Sequence, residues 1–143
     1  MLFRHILAAY DGSAQAQKAL DKAIGLADVC GGTKLTIVHV VNLLPVMTGD
    51  LLFTPTPAIE RSTLEKGEEL LKDAAQRASR IVRLQTELIH GQPAKVILEQ
   101  AEERGCDLIV LGSRGLSTLG GWVLGSVSHN VVHHAKVPVM VFK

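Results

Sequence analysis

The sequence predicts an α/β fold in which a single five-stranded parallel sheet is doubly wound, with helices on both faces. The first observation is the order of the elements, because apolar runs of strand length alternate with segments of helical period as βαβαβαβαβ. The second is that several of these runs are almost continuously apolar, as in strands that are buried on both faces. The third is the length of 143 residues, which predicts one domain over residues 1–143.

The first three elements lie within the first 42 residues. His5 to Tyr10 is an apolar run of strand length. A helix is predicted next, because small and apolar residues recur at spacings of three and four as far as Cys30. Gly31 then ends the helix, as a C-terminal glycine commonly does. Lys34 to Asn42 is predicted as the second strand.

A long connection separates the second strand from the next helix. Leu43 to Ala58 reads as a linker that is unusually apolar for a loop. Three roles stay open for it: a lid over a ligand, a surface for a partner, or a cover for the flank of the domain. The second helix is predicted from about Ile59 to Ile81, again from apolar spacings of three and four.

The second half of the chain continues the alternation. Arg83 to Gly91 alternates polar and apolar residues, which favours a strand near an edge of the sheet. Pro93 suits the first turn of a short helix, where a missing N–H has no cost. Cys106 to Gly112 is the most apolar strand and is predicted to be central. A last helix around Val131 and a closing strand from Val137 to Phe142 complete the pattern.

Charge and hydropathy argue against several classes of protein. The chain has fifteen Lys and Arg residues and fourteen Asp and Glu residues, so it lacks the excess of basic charge that is typical of proteins that bind nucleic acid. No apolar run approaches the length of a membrane span, and Ile6 to Tyr10 is too short for a secretory segment. We therefore expect a cytoplasmic protein that binds neither nucleic acid nor membrane.

The two cysteines stand far apart in the sequence and form no CxxC pair. Cys30 and Cys106 each lie among small or apolar residues, which favours reduced, buried thiols over a disulfide or a zinc site.

Two turns are candidates for a ligand site. Asp11 follows the first strand and Gly112 ends the fourth. If these strands are neighbours, the winding of the sheet reverses between them, and ligands bind at such a switch point beyond the carboxyl ends of the strands. Asp11 has an alternative role as a turn or helix-cap aspartate that needs no ligand.

The loop before the last helix is rich in glycine. Gly112, Gly115 and Gly125 would let backbone N–H groups converge on a phosphate at the N-terminus of that helix. Ser126 is predicted at the N-cap, and its hydroxyl or that of Ser128 could donate to a phosphate oxygen. A glycine-rich loop without any ligand stays open as the alternative.

Six short motifs follow one another along the chain: AAYDGS, VHVV, GQPAKVI, DLIVLGSRG, GSVS and VPVMVF. In addition, Gly112-x-x-Gly115, nine residues and Gly125-Ser126 form a G-x2-G-x9-G-[ST] pattern. With these motifs the chain resembles, from end to end, the ATP-binding branch of the universal stress protein family.

The resemblance implies a Rossmann-like sheet with strand order 3-2-1-4-5 and ATP, with Mg²⁺ or Mn²⁺, at the switch point. Asp11 would contact the ribose or the metal-phosphate region, and no other protein ligand is assigned to the metal. The last strand, Val137 to Phe142, would pair with its copy in a homodimer. The implied nucleotide-binding residues are Ala9, Asp11, Val40, Gly112, Arg114, Gly115, Gly125, Ser126, Val127 and Ser128.

The function expected from these features is that of a nucleotide-dependent stress-response module with an unidentified protein partner and slow or no ATP hydrolysis. Three alternatives stay open: a true ATPase, a dimer that works through partners without nucleotide, and a redox or flavin-binding domain. AMP and cyclic nucleotides also stay open as ligands in place of ATP.

Several other side chains have two interpretations. His129 and His133 are four residues apart and could ligate a metal, but a solvated helix end is favoured because no third ligand is placed by the sequence. His39 and His90, at strand ends, are interpreted as core or rim residues. Trp122 could pack on the nucleotide, on a partner subunit or on its own domain.

Overall fold

The computed structural model describes residues 2–113 and 124–143 of the chain. Its elements are, in order, β1 (His5–Ala9), α1 (Ala14–Cys30), β2 (Lys34–Val41), β3 (Val46–Thr48), β4 (Leu51–Phe53), α2 (Pro57–Arg77), β5 (Leu84–His90), α3 (Pro93–Glu103), β6 (Leu108–Gly112), α4 (Ser126–His134) and β7 (Val139–Phe142).

The main sheet has five parallel strands in the order β5-β2-β1-β6-β7. Counted without the short β3 and β4, this is the order 3-2-1-4-5 that the family resemblance implied, and the fold class is confirmed. β5 lies at an edge, as its alternating pattern predicted, and β6 lies in the interior of the sheet. β1 and β6 are neighbours, so the winding reverses between them.

Side chains alternate between the two faces of the sheet, and each face has its own apolar core. α1 and α2 cover one face, where Leu20 and Leu71 pack with Ile6 of β1. α3 and α4 cover the other face, where Ile97 and Val131 pack with the strand residues whose side chains point to that face. Strands buried on both faces therefore read as continuous apolar runs in the sequence.

Each of the first three helices begins at a polar side chain. Ser13 Oγ accepts a hydrogen bond from Ala16 N at 3.1 Å, and Gln92 Oε1 accepts one from Lys95 N at 2.8 Å. Thr56 caps α2, which begins at Pro57 rather than at Ile59.

Several helices and strands were predicted to be longer than they are. α2 ends at Arg77, whereas the apolar spacing continued to Ile81 because Ala78 and Ile81 are buried in the core outside the helix. β6 and β7 each begin two residues later than predicted, since Cys106 and Val137 pack against the core without belonging to a strand. Burial thus extends beyond the hydrogen-bonded elements.

The segment 43–58 is not a plain linker, and this prediction was wrong. Val46 pairs with Phe53 and Met47 with Leu52 in an antiparallel two-stranded ribbon, β3 and β4. A two-residue turn of Gly49, at φ 61°, and Asp50 joins the strands. Three-residue strands are too short to show alternation, but a glycine and an aspartate between two apolar runs are a hairpin signal.

The cysteines differ in their surroundings. Both thiols are free; Cys106 is buried and Cys30, the last residue of α1, is partly exposed, so its predicted burial was wrong. Burial raises the pKa of Cys106 to about 11. In the described parts of the chain, no helix combines the length and apolar character needed to cross a bilayer.

Candidate functional site

The carboxyl ends of β1 and β6 meet at one edge of the sheet. Ala8 is in register with Val110, so the residues that follow each strand leave the sheet side by side. α1 begins five residues after β1, at Ala14, and packs on one face of the sheet, whereas α4 packs on the other. This is the switch point at which doubly wound sheets bind ligands.

Asp11 organises the turn between β1 and α1. Its Oδ1 accepts a hydrogen bond from Ser13 N at 2.9 Å, and Ser13 is the N-cap of α1. The turn role of Asp11 therefore has a direct structural basis. The contact uses one carboxylate oxygen, so a second role for Oδ2 toward a ligand stays a prediction.

Gly112 lies against the first turn of α1. A Cβ atom at this position would stand 2.8 Å from the backbone carbon of Gln15 and 2.9 Å from the backbone nitrogen of Ala16. Backbone atoms do not yield as a flexible side chain does, so this close approach by itself requires glycine. Gly112 thus has a structural reason to be glycine, and its role toward phosphate stays a prediction.

Ser113 joins the two ends of the glycine-rich loop. Its carbonyl oxygen accepts hydrogen bonds from Gly125 N and from Ser128 Oγ, each at 2.7 Å. Its own N–H donates to the carbonyl of Phe142 in β7 at 2.7 Å. Ser113 was not predicted as a site residue; the signal in the sequence was a serine directly after an apolar strand, and its burial emerged only with the fold.

The start of α4 differs by one residue from the prediction. Gly125 is the N-cap, with φ −62° and ψ 162°, and Ser126 is the first helical residue and is exposed. The predicted N-cap at Ser126 was therefore wrong, since the helix begins at Ser126 and Gly125 caps it without a side-chain hydrogen bond. Ser128 Oγ donates across the turn to Gly125 O at 3.0 Å.

Ser128 is 2% exposed, and both acceptors of its hydroxyl are protein carbonyls, those of Ser113 and Gly125. Its proton is therefore engaged inside the protein. In this conformation Ser128 holds the base of the loop.

Three of the implied nucleotide-binding residues are apolar and lie together. Ala9, Val40 and Val127 are partly buried and pack against the same core, on the side of α3 and α4. Val40 is in register with Ile89 of β5, which belongs to the same group. Their common position on the α3 and α4 side of the sheet is compatible with the predicted adenine site, which stays a prediction.

His39 supports the turn at Asp11 from the face of the sheet that α1 and α2 cover. Its Nδ1 lies 2.8 Å from the carbonyl oxygen of Tyr10, the residue before Asp11. A Cβ atom at Gly67 of α2 would stand 3.0 Å from the His39 ring, so helix and ring are closely packed. Burial raises the pKa of Tyr10, which is 5% exposed and packs in the core beneath α1.

The remaining site predictions fall outside the described residues. Arg114 and Gly115, implied as phosphate ligands, and Trp122 belong to residues 114–123.

The histidines of α4 are all exposed. The rings of His129 and His133 are parallel, with their centroids 6.2 Å apart, and His134 Nδ1 lies 3.0 Å from Asn130 O. Across residues 2–113 and 124–143, no group of three or more potential ligands is placed to hold a metal ion. The solvated helix end stays the preferred interpretation.

Comparison with known proteins gives matches along the whole chain. The model of the universal stress protein family matches residues 2–143. Universal stress protein YxiE of Bacillus subtilis strain 168 is 38% identical over 149 residues, covering 99% of this chain and 100% of the relative.

Solved structures are similar over the same extent. Universal stress protein UspA from Lactobacillus plantarum is 27% identical, with a TM-score of 0.76 over 97% of each chain. A universal stress protein in complex with cAMP is 26% identical, with a TM-score of 0.75 over 100% of this chain and 99% of that chain.

Proposed function

Because the chain belongs to the universal stress protein family, we propose that it binds an adenine nucleotide at the switch point between β1 and β6. In this proposal the chain acts as a nucleotide-dependent stress-response module. The observation that carries the proposal is the convergence at this edge. The first turn of α1 touches Gly112, and the N-cap of α4 is hydrogen-bonded to Ser113. Two helix N-termini therefore supply backbone N–H groups and positive potential suited to phosphates.

The apolar side of the site supports adenine as the base. Ala9 near the end of β1, Val40 near the end of β2 and Val127 in the first turn of α4 all pack on the α3 and α4 side of the sheet, and the apolar face of the base is proposed to lie against them. A relative at 26% identity was solved with cAMP, which is itself an adenine nucleotide. ATP is the proposed ligand because the G-x2-G-x9-G-S pattern spans Gly112 to Ser126.

The phosphates would lie along the ends of the glycine-rich loop, near Gly112, Gly125 and Ser126, with Arg114 and Gly115 completing the set. Asp11 fits the metal-phosphate or ribose region, because a carboxylate oxygen is a ligand that Mg²⁺ prefers. Bound Mg²⁺ would neutralise phosphate charge, and Asp11 would orient it.

Hydrolysis of ATP is proposed to be slow or absent. Fast hydrolysis needs a group that orients the attacking water and charges that stabilise the transition state. Among the implied nucleotide-binding residues, Asp11 is the one carboxylate, and its Oδ1 already accepts from Ser13 N. A phosphate-release assay with turnover of ~1 s⁻¹ or faster would make the protein an ATPase instead.

A homodimer through the last strand is also proposed. β7 is an edge strand that pairs with β6 on one side, and its outer edge offers backbone donors and acceptors to a second copy. The protein is proposed to work in the cytoplasm and to signal nucleotide binding to a protein partner.

The test of nucleotide binding is a calorimetric titration of nucleotide-stripped protein with ATP and Mg²⁺. Micromolar binding is expected in the wild type and a large loss in Gly115→Val. The matched control is Gly25→Val on α1, where a Cβ has no heavy atom within 4 Å. A folded wild type without binding at millimolar ATP would refute the proposal and leave the loop a structural role.

A further inference from the structure

The ribbon of β3 and β4 exposes apolar side chains on both of its faces. Val46, Met47, Leu51, Leu52 and Phe53 are each between 57% and 64% exposed. Neighbouring residues of a strand point to opposite faces, so among the described residues both faces of the ribbon keep more than half of their apolar side-chain surface exposed. An isolated two-stranded ribbon is only marginally stable in water, and an apolar patch of this kind marks an interaction surface.

The extent of the patch matches one side of a protein interface. Leu44 and Ile59 flank the ribbon along the chain and are 45% and 54% exposed. With them, the apolar residues of this segment expose on the order of 800 Å² summed over both faces of the ribbon, and a standard interface takes about this area from each partner.

The charge of the patch restricts its occupant. Between Leu44 and Ile59 the only charged residue is Asp50, and the whole chain has a formal net charge of +1. A nearly uncharged apolar patch does not select nucleic acid, an acidic peptide or an anionic membrane. Two copies of this chain carry too little charge to repel each other, and their patches match in hydrophobicity.

The free edges of the ribbon favour a second copy as well. In the described part of the chain, β3 pairs with β4 and with no other strand, so each strand has an unpaired outer edge. Two copies related by a two-fold axis place a strand antiparallel to itself, with the same apolar residues on both sides.

We propose that the ribbon, residues 46–53, binds the ribbon of a second copy of this chain. This homotypic interface goes beyond the proposed nucleotide site and is separate from the edge of β7. A chain with both interfaces assembles beyond a dimer, since each copy then has two different neighbours.

The first experiment is sedimentation equilibrium at micromolar concentrations. The ribbon variant is Val46→Glu with Leu52→Glu. The matched control is Val82→Glu with Leu2→Glu, which makes the same two changes at exposed positions outside the ribbon, 98% and 73% exposed. The proposal expects a lower mass for the ribbon variant than for the wild type, because one of the two contact surfaces is lost, and the full wild-type mass for the control. Equal masses for wild type and ribbon variant would overturn it.

A second experiment avoids new charges near the ribbon. In a Cys30→Ser background, Thr48→Cys is treated with a short bifunctional thiol reagent, and Val82→Cys is the control. Covalent dimers are expected for Thr48→Cys alone.

Hydrogen exchange in the ribbon distinguishes a lid from a contact surface. Exchange that slows only when Mg-ATP is added, with no change of mass, would make the ribbon a lid over the nucleotide site of the same chain and would overturn the proposal.

Discussion

Individual residues at the switch point serve the fold directly, and for two of them a substitution tests this role. Asp11 holds a turn through one carboxylate oxygen, and Gly112 allows β6 to approach the backbone of α1. Neither observation requires a ligand. The variant of Asp11 keeps its structural contact, and the variant of Gly112 disturbs it.

For Asp11 the selective change is Asp11→Asn. The amide oxygen of asparagine still accepts a hydrogen bond from Ser13 N, so the turn and the stability are expected to persist. The negative charge is lost, and we expect the affinity for Mg-ATP to fall about tenfold, equivalent to ~1.4 kcal/mol. Calorimetry and urea unfolding measure the two effects. Unchanged affinity would restrict Asp11 to the turn.

For Gly112 the change is Gly112→Ala. The new methyl group would collide with the backbone of Gln15 and Ala16, and we expect a loss of about 1–3 kcal/mol in the free energy of unfolding. The control is Gly25→Ala, in the interior of α1 with open space around the new Cβ, where a gain of up to about 1 kcal/mol is expected. Urea unfolding compares them, and equal stabilities would show that α1 moves away at little cost.

At the scale of elements, polar side chains fasten the amino-terminal end of β1 to its neighbours. Asp107, just before β6, accepts hydrogen bonds from the backbone N–H groups of Arg4 and His5 at 2.9 and 3.0 Å. Burial alone would raise the pKa of Asp107, but these backbone donors outweigh it and lower the pKa. The His5 ring lies 2.8 Å from Thr36 Oγ1 of β2 and 3.1 Å from the carbonyl oxygen of Arg104.

The buried ring of His5 predicts a pH dependence of stability. Burial, as the largest cause, lowers the pKa of His5 below its ordinary value of 6.5, so the unfolded chain binds a proton at a higher pH than the folded chain. The contribution of His5 is complete above about pH 6.5 and is lost as the pH falls below it.

Urea midpoints at pH 7.5 and 5.5 measure this effect. We expect a smaller difference between the two midpoints in His5→Gln than in the wild type. The exposed His133→Gln serves as the control and should keep the wild-type difference. The same difference in all three proteins would contradict the role of His5.

The whole molecule combines one doubly wound sheet with a nucleotide site proposed at its switch point and two proposed contact surfaces, the edge of β7 and the ribbon. The switch point lies between β1 and β6, and the ribbon follows β2. A ligand that binds the folded chain and not the unfolded chain stabilises the fold as a whole.

A thermal melt tests this coupling at the level of the molecule. With Mg-ATP at a hundred times its dissociation constant, stabilisation of about 2.7 kcal/mol is expected. For a chain of this size this raises the melting temperature by roughly 5–10 °C. Gly115→Val should show no such rise, and a wild type without any shift would contradict binding to the folded state.

Much of the fold followed from local patterns. The five main strands and four helices were predicted because burial gives the helices an apolar period and the interior strands a continuous apolar run, as in Leu108 to Leu111. The ends of these elements were less predictable, since Ile81 and Val137 are buried without being helical or paired. The ribbon was missed because three-residue strands carry almost no period.

The sequence by itself determined the alternation of strands and helices, the glycine pattern from Gly112 to Ser126 and the resemblance to a family. Only the tertiary structure decided that Gly112 is packed against α1, that Ser128 and Ser113 close the base of the loop, and that the ribbon stands uncovered. The physical reason is range. Period and motif are properties of neighbouring residues, whereas these contacts join segments distant in the chain, and their geometry depends on how the whole sheet is wound.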